Sequence, residues 1–290
     1  SIAIDSEKNL LLCGYFQDSI EFDSGVVVYQ PRSVFLCKLD SLFSYQWEIH
    51  SSNNGLYNFP FPAGLCLDAF DNVYFSCTVF SDNIQFNSGA DSLVPEAVLP
   101  FFYRTFIVKS DAGGNLKWAK TFGNQYHSGD KITPLINTDG LLYINGRYEA
   151  NSDFDPGPDS TILIGNKMYS FIEVLDTAGN FLDVDVIGNG TGNWVNLNEI
   201  VNDENGNLYL IGDYRNLSAS SIDCDPGIGI SNLPNTNFVF LLKWGLGNYT
   251  SISKDELGKG IYIFPNPMTL SATVVLKQNV NHAIAKIYNS

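Results

Sequence analysis

The sequence predicts an all-β protein built from four repeated units. Three observations carry that prediction: a short motif that recurs at a near-constant interval, alternating apolar segments on either side of it, and a composition rich in aromatics and turn formers. Phe22-Asp23-Ser24-Gly25, Phe86-Asn87-Ser88-Gly89, Phe154-Asp155-Pro156-Gly157 and Cys224-Asp225-Pro226-Gly227 fall into register. The 290 residues include 20 Phe, 15 Tyr, 25 Gly and 12 Pro, a mixture that suits many short strands joined by tight turns.

Each unit reads the same way along the chain. Upstream of the motif an Asx/Gly turn leads into an apolar strand that ends near a glycine: "DSEKNLLLCGYF", "DAFDNVYFSCTVF", "NTDGLLYINGRY" and "DENGNLYLIGDY", with Tyr74, Tyr143 and Tyr209 in one column. Downstream comes an alternating strand, "VFLCKLD", "TFIVKSD", "SFIEVLD" and "VFLLKW", which makes Phe35, Phe106, Phe171 and Phe240 equivalent and predicts that all four are buried. In three units a polar turn, "SLFS", "AGGN" or "TAGN", then opens a last short strand, and two of these carry a tryptophan, Trp47 and Trp118. Period-2 alternation between Asx-Gly turns is the hairpin signal.

The units run over about residues 1–64, 65–132, 133–200 and 201–247. A four-stranded meander cannot bury both faces of its own sheet, so neighbouring units must supply the core. That requirement predicts β-propeller blades, about four of them in an incomplete ring. No apolar face of helical period extends beyond about two turns, which excludes a helical solenoid, and the coils of a parallel β-helix are much shorter than this repeat.

Sixteen basic against 31 acidic residues give a net charge of −15. Nucleic acids and anionic membranes are polyanions, so neither is expected as a partner. No apolar run reaches the roughly 18 residues that crossing a bilayer requires. The five cysteines, Cys13, Cys37, Cys66, Cys77 and Cys224, show no zinc spacing. The first four sit in strand-like apolar runs as buried thiols, the alternative being a Cys13–Cys37 or Cys66–Cys77 bridge.

Catalytic signals are sparse. His50, His127 and His282 lie in different segments, without partners at triad or ligand spacing, and read as surface or turn residues. No nucleophile-elbow, zinc-protease or phosphate-loop string occurs. The acidic residues recur with the repeat and sit at turns, as structure demands of them. The residues therefore favour a non-enzymatic platform that binds protein or glycan through loops at one end of the propeller. The alternative is an accessory or catalytic module of a secreted enzyme acting on polysaccharide or peptide.

Two stretches stand out as candidate sites. "SDFDPGPDS" places Asp153, Asp155 and Asp159 around a Pro-Gly turn, either as calcium ligands or as side chains that cap the backbone of the turn. The turn is the favoured reading, because the motif loses carboxylates in other units, notably at Asn87. The second unit also carries an insertion, residues 94–104, with Phe101, Phe102 and Tyr103 as an aromatic cluster that forms a contact loop or packs on an adjacent blade.

The succession of Asx-Gly turn, strand, FDPG turn, "FxxKxD" strand and "GNxxW" strand resembles the β-propeller repeat proteins secreted by certain Gram-negative bacteria, over about residues 1–247. Beyond a polar linker at 248–260, the tail 261–290 has Tyr262, Phe264, Pro265, Asn266 and Pro267 in an apolar strand followed by a Pro-Asn-Pro turn. This segment is similar to the start of the C-terminal sorting domain recognised by the type IX secretion system, a small β-sandwich. The resemblance implies secretion or attachment to the outer surface of a Gram-negative cell, with that machinery as a partner of the tail. Further blades upstream and the rest of the sandwich downstream are expected in the intact protein, and the tail is expected to be dispensable for folding of the repeats.

Overall fold

Asx turns that alternate with apolar strands yield strands only, and the chain is all-β, with no helix among the described residues. The structure, a computed structural model, describes residues 1–29, 32–53, 61–80, 84–95, 103–125, 132–148, 151–164, 169–187, 194–203, 206–215, 222–223, 232–233, 238–244, 261–264 and 271–276.

The first unit contains β1 (Ile2–Ile4), β2 (Leu10–Phe16), β3 (Ser19–Glu21), β4 (Val27–Tyr29), β5 (Ser33–Leu39) and β6 (Tyr45–Asn53). The second has β7 (Phe61–Leu67), β8 (Val73–Phe80), β9 (Ile84–Ser88), β10 (Asp91–Leu93), β11 (Tyr103–Ser110) and β12 (Leu116–Gln125). The third has β13 (Thr133–Ile136), β14 (Leu142–Tyr148), β15 (Ser152–Asp153), β16 (Ile162–Leu163), β17 (Tyr169–Leu175) and β18 (Phe181–Ile187). The fourth draws its first strand from before residue 201, with β19 (Trp194–Asn202), β20 (Leu208–Arg215), β21 (Ile222–Asp223), β22 (Asn232–Leu233) and β23 (Phe238–Trp244), followed by β24 (Ile261–Phe264) and β25 (Ser271–Leu276).

Four strands of each of the first three units form one sheet, in the orders β1-β2-β5-β6, β7-β8-β11-β12 and β13-β14-β17-β18. The fourth runs β19-β20-β23-β25-β24, so β25 takes the place of a fourth strand beside β23, from Phe240↔Val275 to Trp244↔Ser271. Pro265, Asn266 and Pro267 lie outside the described residues.

Between the second and third strands of every unit stands a small extra hairpin that the sequence reading did not separate from the main meander: β3–β4, β9–β10, β15–β16 and β21–β22. The FxxG motifs of the first three units belong to these hairpins. The second hairpin reaches back to the preceding unit, where β9 pairs with β6 through His50↔Asn87 and Ser51↔Phe86 and covers an edge that would otherwise be open. His50 consequently lies on a strand, not in a turn, with its Nδ1 2.8 Å from Glu48 Oε2.

Seven turns share one construction. Asp5, Asp40, Asp68, Asp111, Asn137, Asp176 and Asp203 each accept, through Oδ1, the backbone N–H of the residue four positions on, at 2.8–2.9 Å. The fourth residue of each turn, Lys8, Phe43, Asp71, Gly114, Gly140, Gly179 or Gly206, takes a φ between 57° and 83°. An Asx side chain that substitutes for backbone partners and one left-handed residue complete a tight hairpin whose twist suits the flanking strands.

The described residues form two compact bodies: Ser1–Ile144 with Tyr148–Gly165 and Glu173–Asp183, and Asn145–Arg147 with Asn166–Ile172 and Val184–Ser290. Within the first body the core lies between the first and second sheets, where Leu11, Val34, Leu36, Ile49, Phe75, Phe86, Phe106 and Val108 are all 2% exposed or less. The rings of Phe75, Phe86 and Phe106 meet edge-on at 5.8–6.1 Å.

Phe106, Phe171 and Phe240 are buried as expected, whereas Phe35 is only partly so. The face of β5 that carries Phe35 and Cys37 packs with Phe16 of β2 on Phe22 and Val28 of the small hairpin, a lesser cover than a whole sheet. Two of these phenylalanines explain the glycines upstream. Gly14 pairs across the strands with Phe35 and Gly212 with Phe240, and a Cβ on either glycine would fall 2.5–2.8 Å from the ring.

Consecutive sheets of the first body are joined by a repeated contact. The Trp47 indole N–H and the Lys38 ammonium both donate to the Ala112 carbonyl, in the Asp111 turn of the next unit. Trp118 and Lys109 repeat this on the Thr177 carbonyl, in the Asp176 turn. The same lysines serve their own units: Lys38 pairs with Asp5 at 2.8 Å, and Lys109 sits 4.9 Å over the ring of Tyr74, whose hydroxyl donates to Asp68. In the third unit Val174 replaces the lysine and Asn137 the aspartate, so neither charge is left without the other.

Cys13, Cys37, Cys66 and Cys77 are free thiols; neither bridge forms. Burial pushes the thiols of Cys13 and Cys66 up to about 12 and that of Cys37 to about 11, so all three stay protonated at neutral pH. Cys224 lies outside the described residues.

Candidate functional site

Among the described residues of the second body, a cluster of polar side chains is built where β19 begins and β20 ends. Arg147 on β14 donates through Nη1 to Asn196 Oδ1 at 2.8 Å. Asn196 Nδ2 donates to Asp213 Oδ2 at 3.0 Å, and Asn198 Nδ2 to Asp213 Oδ1 at 2.9 Å. Strand register explains how one carboxylate collects two amides. Asn196 lies directly across from Asp213, while a bulge between Leu197 and Glu199 leaves Asn198 without a cross-strand partner and swings its side chain onto the same carboxylate.

Asn198 is exposed, and Arg147, Asn196 and Asp213 are partly so. The result is a neutral, hydrogen-bonded array that still presents donors and acceptors to solvent. Gly212 makes room for it, since a Cβ there would fall 2.2 Å from the Asn196 carbonyl oxygen.

None of these four residues was singled out from the sequence, although a signal existed. Arg147 and Asp213 occupy the repeat column held by Tyr15 and Thr78 in the first two units. Charge at a column that is otherwise uncharged marks a position the repeat itself does not require.

"SDFDPGPDS" is organised as a turn. Asp153 Oδ1 accepts the N–H groups of Asp155 and Thr161 at 3.1 and 2.8 Å, and Asp155 Oδ1 accepts that of Gly157 at 2.7 Å. Asp159 is exposed and does not join them. Among the described residues no group of three or more His, Cys, Asp or Glu is placed to hold a metal ion. In the aromatic insertion, Phe101 and Phe102 lie outside the described residues, and Tyr103 opens β11, opposite Phe80 and Gln125. Phe264 ends β24.

Glu173 is a second departure from a repeat column. It stands where the other units have Cys37, Val108 and Leu242, is fully buried, and neither carboxyl oxygen has a hydrogen-bond partner among the described residues. Burial, and then the Asp155 carboxylate, push its carboxyl well above the usual range, which favours the protonated form.

Compared with protein-family models and with curated proteins, the sequence matches none.

Proposed function

We propose that this is an exported, non-enzymatic binding protein: a β-propeller platform of which these four sheets are successive blades, holding a protein or glycan ligand at the end where the polar array lies. The observation that carries the proposal is the Arg147–Asn196–Asp213–Asn198 array. Its members favour a glycan over a protein. Sugar hydroxyls both donate and accept, and an array of two amides, one guanidinium and one carboxylate with no net charge offers both functions side by side.

Both oxygens of Asp213 already accept amide hydrogens, which suits an acceptor that orients a ligand and not a proton donor to a leaving group. Support for export comes from the tail, where Tyr262, Phe264, Pro265, Asn266 and Pro267 make the resemblance to a type IX sorting signal. Support for the blade arrangement comes from the Trp–Lys contact that joins the first sheet to the second and the second to the third.

The test is to apply the full chain to an array of immobilised neutral oligosaccharides. Retention on a subset of them is expected, weakened by roughly tenfold in Asp213→Ala and Asn196→Ala, as loss of a charge-assisted hydrogen bond predicts. Retention that both variants leave unchanged would refute the site, and no retention at all would refute the glycan.

A further inference from the structure

We propose that Arg104, on β11 of the second unit, anchors a separate site for a carboxylate-bearing ligand. Arg104 is 7% exposed, and its Nε and Nη2 are both out of contact with solvent and without a hydrogen-bond partner among the described residues. A buried carboxyl can take up a proton, but a guanidinium keeps its charge at any pH the protein meets. An unpaired one inside a protein is costly enough that a counter-charge belongs beside it. The two vacant donors also specify its shape: Nε–H and Nη2–H form the side-on edge of the guanidinium, two parallel donors that match the two oxygens of one planar carboxylate.

Three further features set the position apart. The pairing of β11 with β12 slips here, from Tyr103↔Gln125 to Thr105↔Phe122, so that two residues of β12 stand opposite Arg104; such bulges re-aim side chains. The equivalent residues of the other units are Ser33, Tyr169 and Phe238, so the charge is singular and the repeat does not need it. Arg104 is also the second residue of its strand, just past the longest of the four hairpin-to-strand connections, nine residues against three to five elsewhere. One guanidinium in a chain of net charge −15 suits a single carboxylate better than a phosphate dianion or a polyanion. The site is independent of the Arg147 array and stands or falls without it.

The test uses the full chain with acetate, glucuronate, N-acetylalanine and, as a neutral control, glucose, followed by calorimetric titration and melting temperature. Acetate isolates the shared carboxylate, while glucuronate and N-acetylalanine separate a sugar acid from a peptide terminus. Saturable binding of at least one carboxylate, none of glucose, complete loss in Arg104→Met and a loss of roughly tenfold in Arg104→Lys, which keeps the charge without the fork, are expected. Without ligand, Arg104→Met should melt no lower than the parent, because it removes an unpaired charge.

Two results would overturn the proposal. One is carboxylate binding that is absent or that persists in Arg104→Met. The other is a lower melting temperature for ligand-free Arg104→Met that Glu96→Gln reproduces and the double variant does not deepen, since the partner would then be the one acid of the chain's own 94–102 connection.

Discussion

The indole of Trp47 lies flat enough against Gly114 that a Cβ on the glycine would sit 2.6 Å from the indole Cδ2, and Gly114 itself has a φ of +83°. One glycine thus meets two demands, a left-handed turn and the close approach of a ring from the preceding unit. Trp118 and Gly179 repeat the relationship at 3.2 Å. Gly114→Ala should therefore cost about 2–4 kcal/mol, combining left-handed strain with overpacking. At about 2–4 °C per kcal/mol for a chain of this size, thermal unfolding would show a fall of several degrees. A change of less than one degree would mean that the ring moves aside freely.

Phe43 is the mirror of that case. It holds the equivalent position in the first unit with a φ of 65°, and the residue is 67% exposed. Phe43→Gly removes left-handed strain and little packing, so it should raise stability by about 1 kcal/mol. Chemical denaturation gives the answer directly, and a lower midpoint would show that the exposed ring has an unrecognised contact.

Glu173 makes stability depend on pH in a defined direction. Burial raises its carboxyl pKa in the folded state, whereas the unfolded chain titrates near 4.3. The folded protein therefore holds a proton that the unfolded chain releases. The contribution of this carboxyl is intact below about pH 4.3 and is lost as pH rises toward and through the raised folded value. Glu173→Gln should melt above the parent by a margin that grows from pH 5 to pH 8. A margin that shrinks over that range would mean that the carboxylate is paired.

The acidic turn yields a separate expectation. Because Asp153 supports two backbone N–H groups, Asp153→Ala should lower stability by about 1–2 kcal/mol, with calcium absent or present. Calorimetric titration of the metal-free chain supplies the contrary case: micromolar calcium binding that vanishes in Asp153→Ala with Asp155→Ala would make these residues metal ligands.

Much of the architecture was legible because repetition amplifies weak local signals. Four copies of an Asx turn and four aligned phenylalanines identify strands that a single copy would leave ambiguous, and the buried positions of Phe106, Phe171 and Phe240 follow from the alternation around them. The small hairpins were not separable in this way. Their strands are two to five residues long, and what holds β9 is pairing with β6 of another unit, a long-range fact with no local trace. The candidate sites were hidden for the opposite reason. Arg104, Arg147, Glu173 and Asp213 matter where they break the repeat, and an alignment made to find sameness passes over them. The bulge that brings Asn198 to Asp213 is a feature of strand pairing, invisible until β19 and β20 are placed side by side.

The claim that a polar array on a rigid β platform binds a ligand is tested most directly by hydrogen exchange of the full chain, with and without the neutral oligosaccharide retained most strongly on the array. Slowed exchange confined to residues 194–198 and 213–215, and absent in Asp213→Ala, is the predicted result. Protection at the Asx turns instead, or none around Asn196 and Asp213 while the sugar is bound, would contradict it.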